Sequence, residues 1–153
     1  MYLTRTLSLT IEDCTFNNMT RQTIYVNTEA FSLSRSTFTR GRDAGASVYT
    51  ASGSIQDCAF EENTGRSANG NGSNAITVSG SGDLKLVRNV FRNNGDQSSE
   101  VALRVSGGDE LVTITDCNFD GNRGNNDSAV HATGILHFEN CSFTRNVAGN
   151  IGP

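Results

Sequence analysis

One nine-residue unit recurs six times along the 153 residues, and this repetition limits the possible folds more than any other feature. The copies read IEDCTFNNM (11–19), LSRSTFTRG (33–41), IQDCAFEEN (55–63), LVRNVFRNN (86–94), ITDCNFDGN (114–122) and FENCSFTRN (138–146). Each carries a phenylalanine in the same place: Phe16, Phe38, Phe60, Phe91, Phe119 and Phe143. The spacings between them are 22, 22, 31, 28 and 24 residues, and the longer intervals hold extra Gly, Ser and Asn. A coil of fixed length with loop insertions gives such a series.

Alignment on the phenylalanine turns the repeat into columns. Five residues before it stand Ile11, Leu33, Ile55, Leu86, Ile114 and Phe138, all apolar. Seven before it stand Leu9, Phe31, Gly53, Leu84, Val112 and Leu136. Two before it stand Cys14, Ser36, Cys58, Asn89, Cys117 and Cys141. Positions −7 and −5 alternate as a strand does, and so do −2 and 0, but the phase breaks between −5 and −2, where the chain must bend. A third strand precedes each later unit: TIYVN (23–27), SVYTA (47–51), AITVS (75–79), ALRVS (102–106) and AVHAT (129–133). No single coil of three short strands can bury its own interior, so the core must come from stacking. The expected fold is all-β, a parallel β-helix of about six coils with three short strands per coil. It forms a single domain over residues 1–153, whole or as a piece of a longer solenoid.

Two more columns support the alignment. Three residues before the phenylalanine stand Asp13, Arg35, Asp57, Arg88, Asp116 and Asn140. Stacked about 4.8 Å apart, charges of alternating sign make a ladder of ion pairs, and a slip of one coil would set Asp over Asp. Three residues after it, Asn63, Asn94, Asn122 and Asn146 follow Met19 and Gly41. Asparagine tolerates the left-handed region, and its amide bonds to equivalent amides above and below.

Composition excludes several classes. The 12 basic residues are scattered and the formal net charge is −4, which is wrong for a nucleic-acid surface. No apolar run approaches the roughly 18 residues of a membrane span. The opening residues lack the charged and apolar regions of a signal peptide.

The motifs Phe60-x-x-Asn63, Phe91-x-x-Asn94, Phe119-x-x-Asn122 and Phe143-x-x-Asn146 resemble the FxxN repeat of chlamydial-type polymorphic outer membrane proteins. More broadly they are similar to the right-handed β-helix repeats shared with pectate-lyase-like proteins. The resemblance covers essentially the whole chain and implies a right-handed parallel β-helix. The companion GGA[ILV] motif is only echoed, in Ser47-Val48, Ala75-Ile76 and Ala129-Val130, and this sequence carries no C-terminal barrel segment. Autotransporter-like behaviour therefore does not carry over.

Candidate chemistry is sparse. The four cysteines share one column, with no C-x-x-C spacing, and are expected as buried thiols; a Cys117–Cys141 bridge between adjacent coils is the alternative. No metal site and no cofactor are expected. The outward row of the upstream strands reads Tyr25, Tyr49, Thr77, Arg104 and His131, and is the candidate ligand-binding site. Aromatic rings stack on sugars and arginine grips carboxylates. The resemblance to pectate-lyase-like enzymes implies a substrate groove on the corresponding face; the plain alternative is a solvated surface. Two carboxylates about 5–9.5 Å apart would be needed for a glycosidase, and no catalytic residue is assigned. The nearest grouping is Arg104 and His131 with Glu100 and Asp127. Ice binding would need a sustained outward threonine column, which the sequence lacks.

A solenoid ends in open strand edges, so self-association through the coil ends is expected. The resulting expectation is a non-enzymatic module for adhesion, carbohydrate binding or structural assembly, extracellular or at a cell surface, with polysaccharide as the candidate partner. A polysaccharide-acting lyase or hydrolase, or its inactive remnant, is the alternative.

Overall fold

The computed structural model describes residues 1–20, 23–42, 45–64, 75–96, 101–124 and 128–149. Its strands run β1 (Tyr2–Glu12), β2 (Thr15–Asn17), β3 (Ile24–Ser34), β4 (Thr37–Thr39), β5 (Ala46–Gln56), β6 (Ala59–Glu61), β7 (Ile76–Gly80) and β8 (Leu84–Val87). They continue as β9 (Val90–Arg92), β10 (Leu103–Thr115), β11 (Asn118–Asp120), β12 (Arg123–Gly124), β13 (Val130–Glu139), β14 (Ser142–Thr144) and β15 (Val147–Ala148). One sheet stacks β1, β3, β5, β7 with β8, β10 and β13; a second stacks β2, β4, β6, β9, β11 and β14; β12 and β15 form a small third. All pairings are parallel, so the chain climbs one rung per repeat as a right-handed parallel β-helix of six rungs.

The three segments of each coil are present, but the first two run into one another. In five rungs they form a single long strand, and only the fourth rung separates them as β7 and β8. The bend between them is a register shift, at Thr4/Thr6 in the first rung and Ser106/Leu111 in the fifth. Inside this bend Thr28 and Thr50 are buried, and each hydroxyl donates to the carbonyl two residues on, at 3.0 and 2.6 Å. That side-chain bond turns the strand without orphaning a backbone acceptor.

The other corners are left-handed. The residues three before the phenylalanine, from Asp13 to Asn140, have φ between 46° and 55°. Those two after it (Asn18, Arg40, Glu62, Asn93, Gly121 and Arg145) have φ between 52° and 65°. The strand carrying the phenylalanine is thus a three-residue side bounded by two such turns. The asparagines three after the phenylalanine lie just past the left-handed residue rather than on it, and their side chains turn inward.

The core is a set of one-residue-wide columns. The six phenylalanine rings stack with centroids 4.6–5.0 Å apart and planes within 2–16° of parallel. Ile24, Ala46, Ile76, Leu103 and Val130 form one column opposite, and Val26, Val48, Val78, Val105 and Ala132 another. The asparagine ladder is realised: Asn63, Asn94 and Asn122 each donate from Nδ2 to the Oδ1 of the next, at 3.0, 3.0 and 2.9 Å. Each of these asparagines and Asn146 also donates from Nδ2 to the carbonyl of the phenylalanine one rung back.

The charged column forms discrete pairs. Arg35 grips Asp13 with two bonds of 2.8 and 2.9 Å, and Arg88 grips Asp57 at 2.6 and 2.8 Å. Each arginine reaches back one rung, and the carboxyls of Asp13 and Asp57 are held below their ordinary range chiefly by these bonds. Such pairs sit in water, so they act mainly on register.

Candidate functional site

Because strand residues alternate sides, every second residue of the upstream segment faces out. Two outward columns result. The first contains Tyr2, Tyr25, Ser47, Thr77, Arg104 and His131, and the second contains Asn27, Tyr49, Ser79, Ser106 and Thr133. The anticipated row of Tyr25, Tyr49, Thr77, Arg104 and His131 is therefore corrected at one member. Tyr49 pairs with Asn27, and Ser47 occupies its expected place above Tyr25. A two-residue slip preserves the inside–outside alternation, so patterning alone cannot detect it. The repeat length could have: one 22-residue coil after Tyr25 lies Ser47, not Tyr49.

The slip changes what the tyrosines can do. Tyr2 and Tyr25 stack face to face at 4.6 Å, so each covers a face of the other. Tyr49, offset by one outward column, is tilted 48° to Tyr25 at 5.5 Å. It is 42% exposed and stands at the edge of a groove. Arg104 and His131 are direct neighbours on adjacent rungs. Three rungs separate Tyr25 from Arg104, about 14 Å at the usual strand spacing.

The groove is an open trough of about 710 Å³ along the bend between the first two segments. Its lining runs across five rungs: Thr6 and Leu7; Asn27, Thr28 and Glu29; Tyr49, Thr50 and Ala51; Ser79, Gly80 and Ser81; then Ser106 and Gly108. It follows the bend, where Thr28 and Thr50 turn inward. The lining offers hydroxyls, one amide, one aromatic ring and, among the described residues, a single carboxylate, Glu29. Thr6 Oγ1 is buried there with no hydrogen-bond partner among the described residues. Sequence reasoning missed Asn27, Glu29, Ser79 and Ser106, because the groove follows the bend rather than the alternation.

Glu100 and Asp127, grouped with Arg104 and His131 from the sequence, lie outside the described residues. Among the described residues no three His, Cys, Asp or Glu side chains come together as a metal site. Among the described residues no helix is long and apolar enough to cross a membrane.

The cysteines are all free thiols, Cys117 and Cys141 included. Each sulfur donates to the carbonyl two residues earlier, at 3.2–3.4 Å, and Ser36 does the same at 2.8 Å. This column thus serves the left-handed corner, adding a side-chain donor to carbonyls that, at Ser34, Gln56, Thr115 and Glu139, also accept a backbone N–H from the preceding rung. Burial pushes the Cys117 thiol up to about 11 and raises that of Cys58, which suppresses the reactive thiolate.

No curated protein and no solved structure matches this chain. One family does, with the six-rung stack and its columns as the physical counterpart of the match. The family description "Right handed beta helix region" fits residues 1–151, and the chain belongs to that family.

Proposed function

We propose that this chain is a non-enzymatic binding module that holds an extended polysaccharide in the groove along its bend. The observation that carries the reading is the groove itself: an open trough of about 710 Å³ crossing five rungs, lined by hydroxyl and amide groups, with Tyr49 tilted out of the tyrosine stack. A sugar polymer presents repeating hydroxyls and apolar ring faces. A lining of Asn27, Ser79 and Ser106 beside one free ring face matches that pairing. A polysaccharide ligand also places the work of the protein outside the cell or at its surface. The buried thiols of Cys58 and Cys117 would survive there without pairing.

Affinity electrophoresis through gels containing single polysaccharides tests the reading. The expected result is retardation by at least one polymer, weakened tenfold or more in Tyr49→Ala, with no reducing ends or unsaturated products released. Absence of retardation by every polymer, or undiminished binding by Tyr49→Ala, overturns it.

Two observations favour other readings. Arg104 beside His131 on adjacent rungs is a pairing that suits a lyase or hydrolase, and release of products in the same assay would establish it. The exposed apolar columns at the coil ends suit structural assembly, with Phe138 at 41% and Phe143 at 49% exposure.

A further inference from the structure

The groove along the bend carries almost no charge. Glu29, which is exposed, is the one charged side chain among the described residues that line it. Its polar atoms come largely from the second outward column, in Asn27, Tyr49, Ser79 and Ser106. Arg104 and His131 stand in the first outward column, and no described residue of that column belongs to the lining. Lys85 lines a separate trough on the next segment, where Asp83 accompanies it.

This distribution selects among polymers. A uronate, sulfate or phosphate loses its water on entering a groove, and arginine or lysine must replace that water with charge-assisted bonds. The described lining has neither. Its carboxylate and the formal net charge of −4 both have the sign of such a polymer and repel it. The hydroxyls of a neutral sugar need only uncharged donors and acceptors, which an amide and two serines supply. The ring of Tyr49 takes an apolar sugar face.

The column also sets a direction. Its members lie one per rung, about 4.8 Å apart, so polar groups repeat along the stack and not across it. Five rungs span four such intervals, about 19 Å. A short oligosaccharide reaches only part of this length.

We propose that the groove takes a neutral polysaccharide, laid along the solenoid axis over several consecutive sugars, and that Glu29 turns polyanions away. The proposal rests on the reading of this chain as a polysaccharide-binding module and names the class of polymer.

The test is affinity electrophoresis against neutral polymers (glucans, mannans, xylan) and acidic ones (polygalacturonate, alginate, a sulfated galactan). Neutral polymers should retard the wild type and acidic ones should not. Retardation should change by less than about twofold between low and high salt, because no ion pair is involved. Equal or stronger retardation by an acidic polymer, lost as salt rises, overturns the neutral class and leaves the binding-module reading standing. No retardation by any polymer overturns both.

Two further measurements address Glu29 and the axial path. Glu29→Lys should gain retardation by polygalacturonate at low salt, whereas Glu62→Lys, the same charge change at a corner outside the groove, should not; circular dichroism checks that both keep their strands. Equal gain in the two variants, or gain in neither, overturns the role of Glu29. Oligosaccharides of the retarding polymer then compete with it. A hexasaccharide should compete about tenfold better than a disaccharide, the effect of one or two further hydrogen bonds. Equal competition by the two overturns the axial path.

Discussion

Replacing Asn94 by leucine tests whether the amide ladder holds the coils together. Asn94 is fully buried. Its Nδ2 donates to Phe60 O at 2.7 Å and to Asn122 Oδ1 at 3.0 Å. Its Oδ1 accepts from Asn63 N at 3.1 Å and from Asn63 Nδ2 at 3.0 Å. Leucine has a similar volume, so the cost is not that of a cavity. Not every partner is orphaned: Asn122 Oδ1 keeps the backbone N–H of Asn94, and one Nδ2 hydrogen of Asn63 keeps Phe38 O. Three groups lose a bond with no water to replace it: Asn63 N–H, the other Nδ2 hydrogen of Asn63, and Phe60 C=O. At about 1–1.5 kcal/mol each, the loss is about 3–4.5 kcal/mol, a large part of the roughly 5–15 kcal/mol that holds a domain folded. Guanidinium unfolding followed by both circular dichroism and tyrosine fluorescence measures it. Coincident transitions are required before a free energy is taken, since repeat arrays can unfold in pieces. The control is Asn17→Ala, which removes one exposed bond to Thr39 and should change stability by no more than about 0.5 kcal/mol. A loss below about 1 kcal/mol for Asn94→Leu would refute the argument that the ladder is structural.

Other expectations follow from the same columns. Phe91→Ala should cost about 3–5 kcal/mol and Phe143→Ala distinctly less, because the first ring is fully buried and the second half exposed; thermal and denaturant midpoints give the ranking. Gly82→Ala would set a Cβ 2.3 Å from the carbonyl oxygen of Ala51 one rung below, so the backbone must shift; about 1–3 kcal/mol should be lost in denaturant unfolding. Acid should destabilise the chain. Arg145 and Thr144 hold the Asp120 carboxyl down at about 2, and Arg35 and Arg88 depress Asp13 and Asp57. Stability from a depressed carboxylate is complete above its ordinary value near 4 and lost as pH falls through the folded value. The thermal midpoint should therefore drop between about pH 4 and pH 2, and Asp120→Asn should flatten that drop. Cys117→Ser should cost under about 1 kcal/mol, since Ser36 makes the same bond in the same column. A disulfide reagent at neutral pH should label Cys14 and Cys141 well before the buried Cys58 and Cys117.

The repeated phenylalanine and its neighbours determine much of this protein without reference to tertiary structure. Spacing near 22 residues, apolar columns at −7 and −5, and alternating charges at −3 require a stack, because no coil can bury its own interior. The phenylalanine register, the asparagine ladder and the ion pairs were all legible, since each depends on identity at a fixed distance from one anchor. The upstream strands are tied to that anchor by loops of unequal length, and there the reading failed by two residues at Tyr49. Alternation of period two is blind to such a slip. The groove was not legible either. It follows the bend, where Thr28 and Thr50 turn inward to bond a carbonyl, and nothing in the alternation marks that bend. Whether Tyr25 and Tyr49 share a column, whether Cys117 and Cys141 bond, and which side chains wall a channel are questions of sub-coil placement. The sequence determined the stacking because burial forces it; only the tertiary structure decided the corners, because backbone hydrogen bonds between rungs set them.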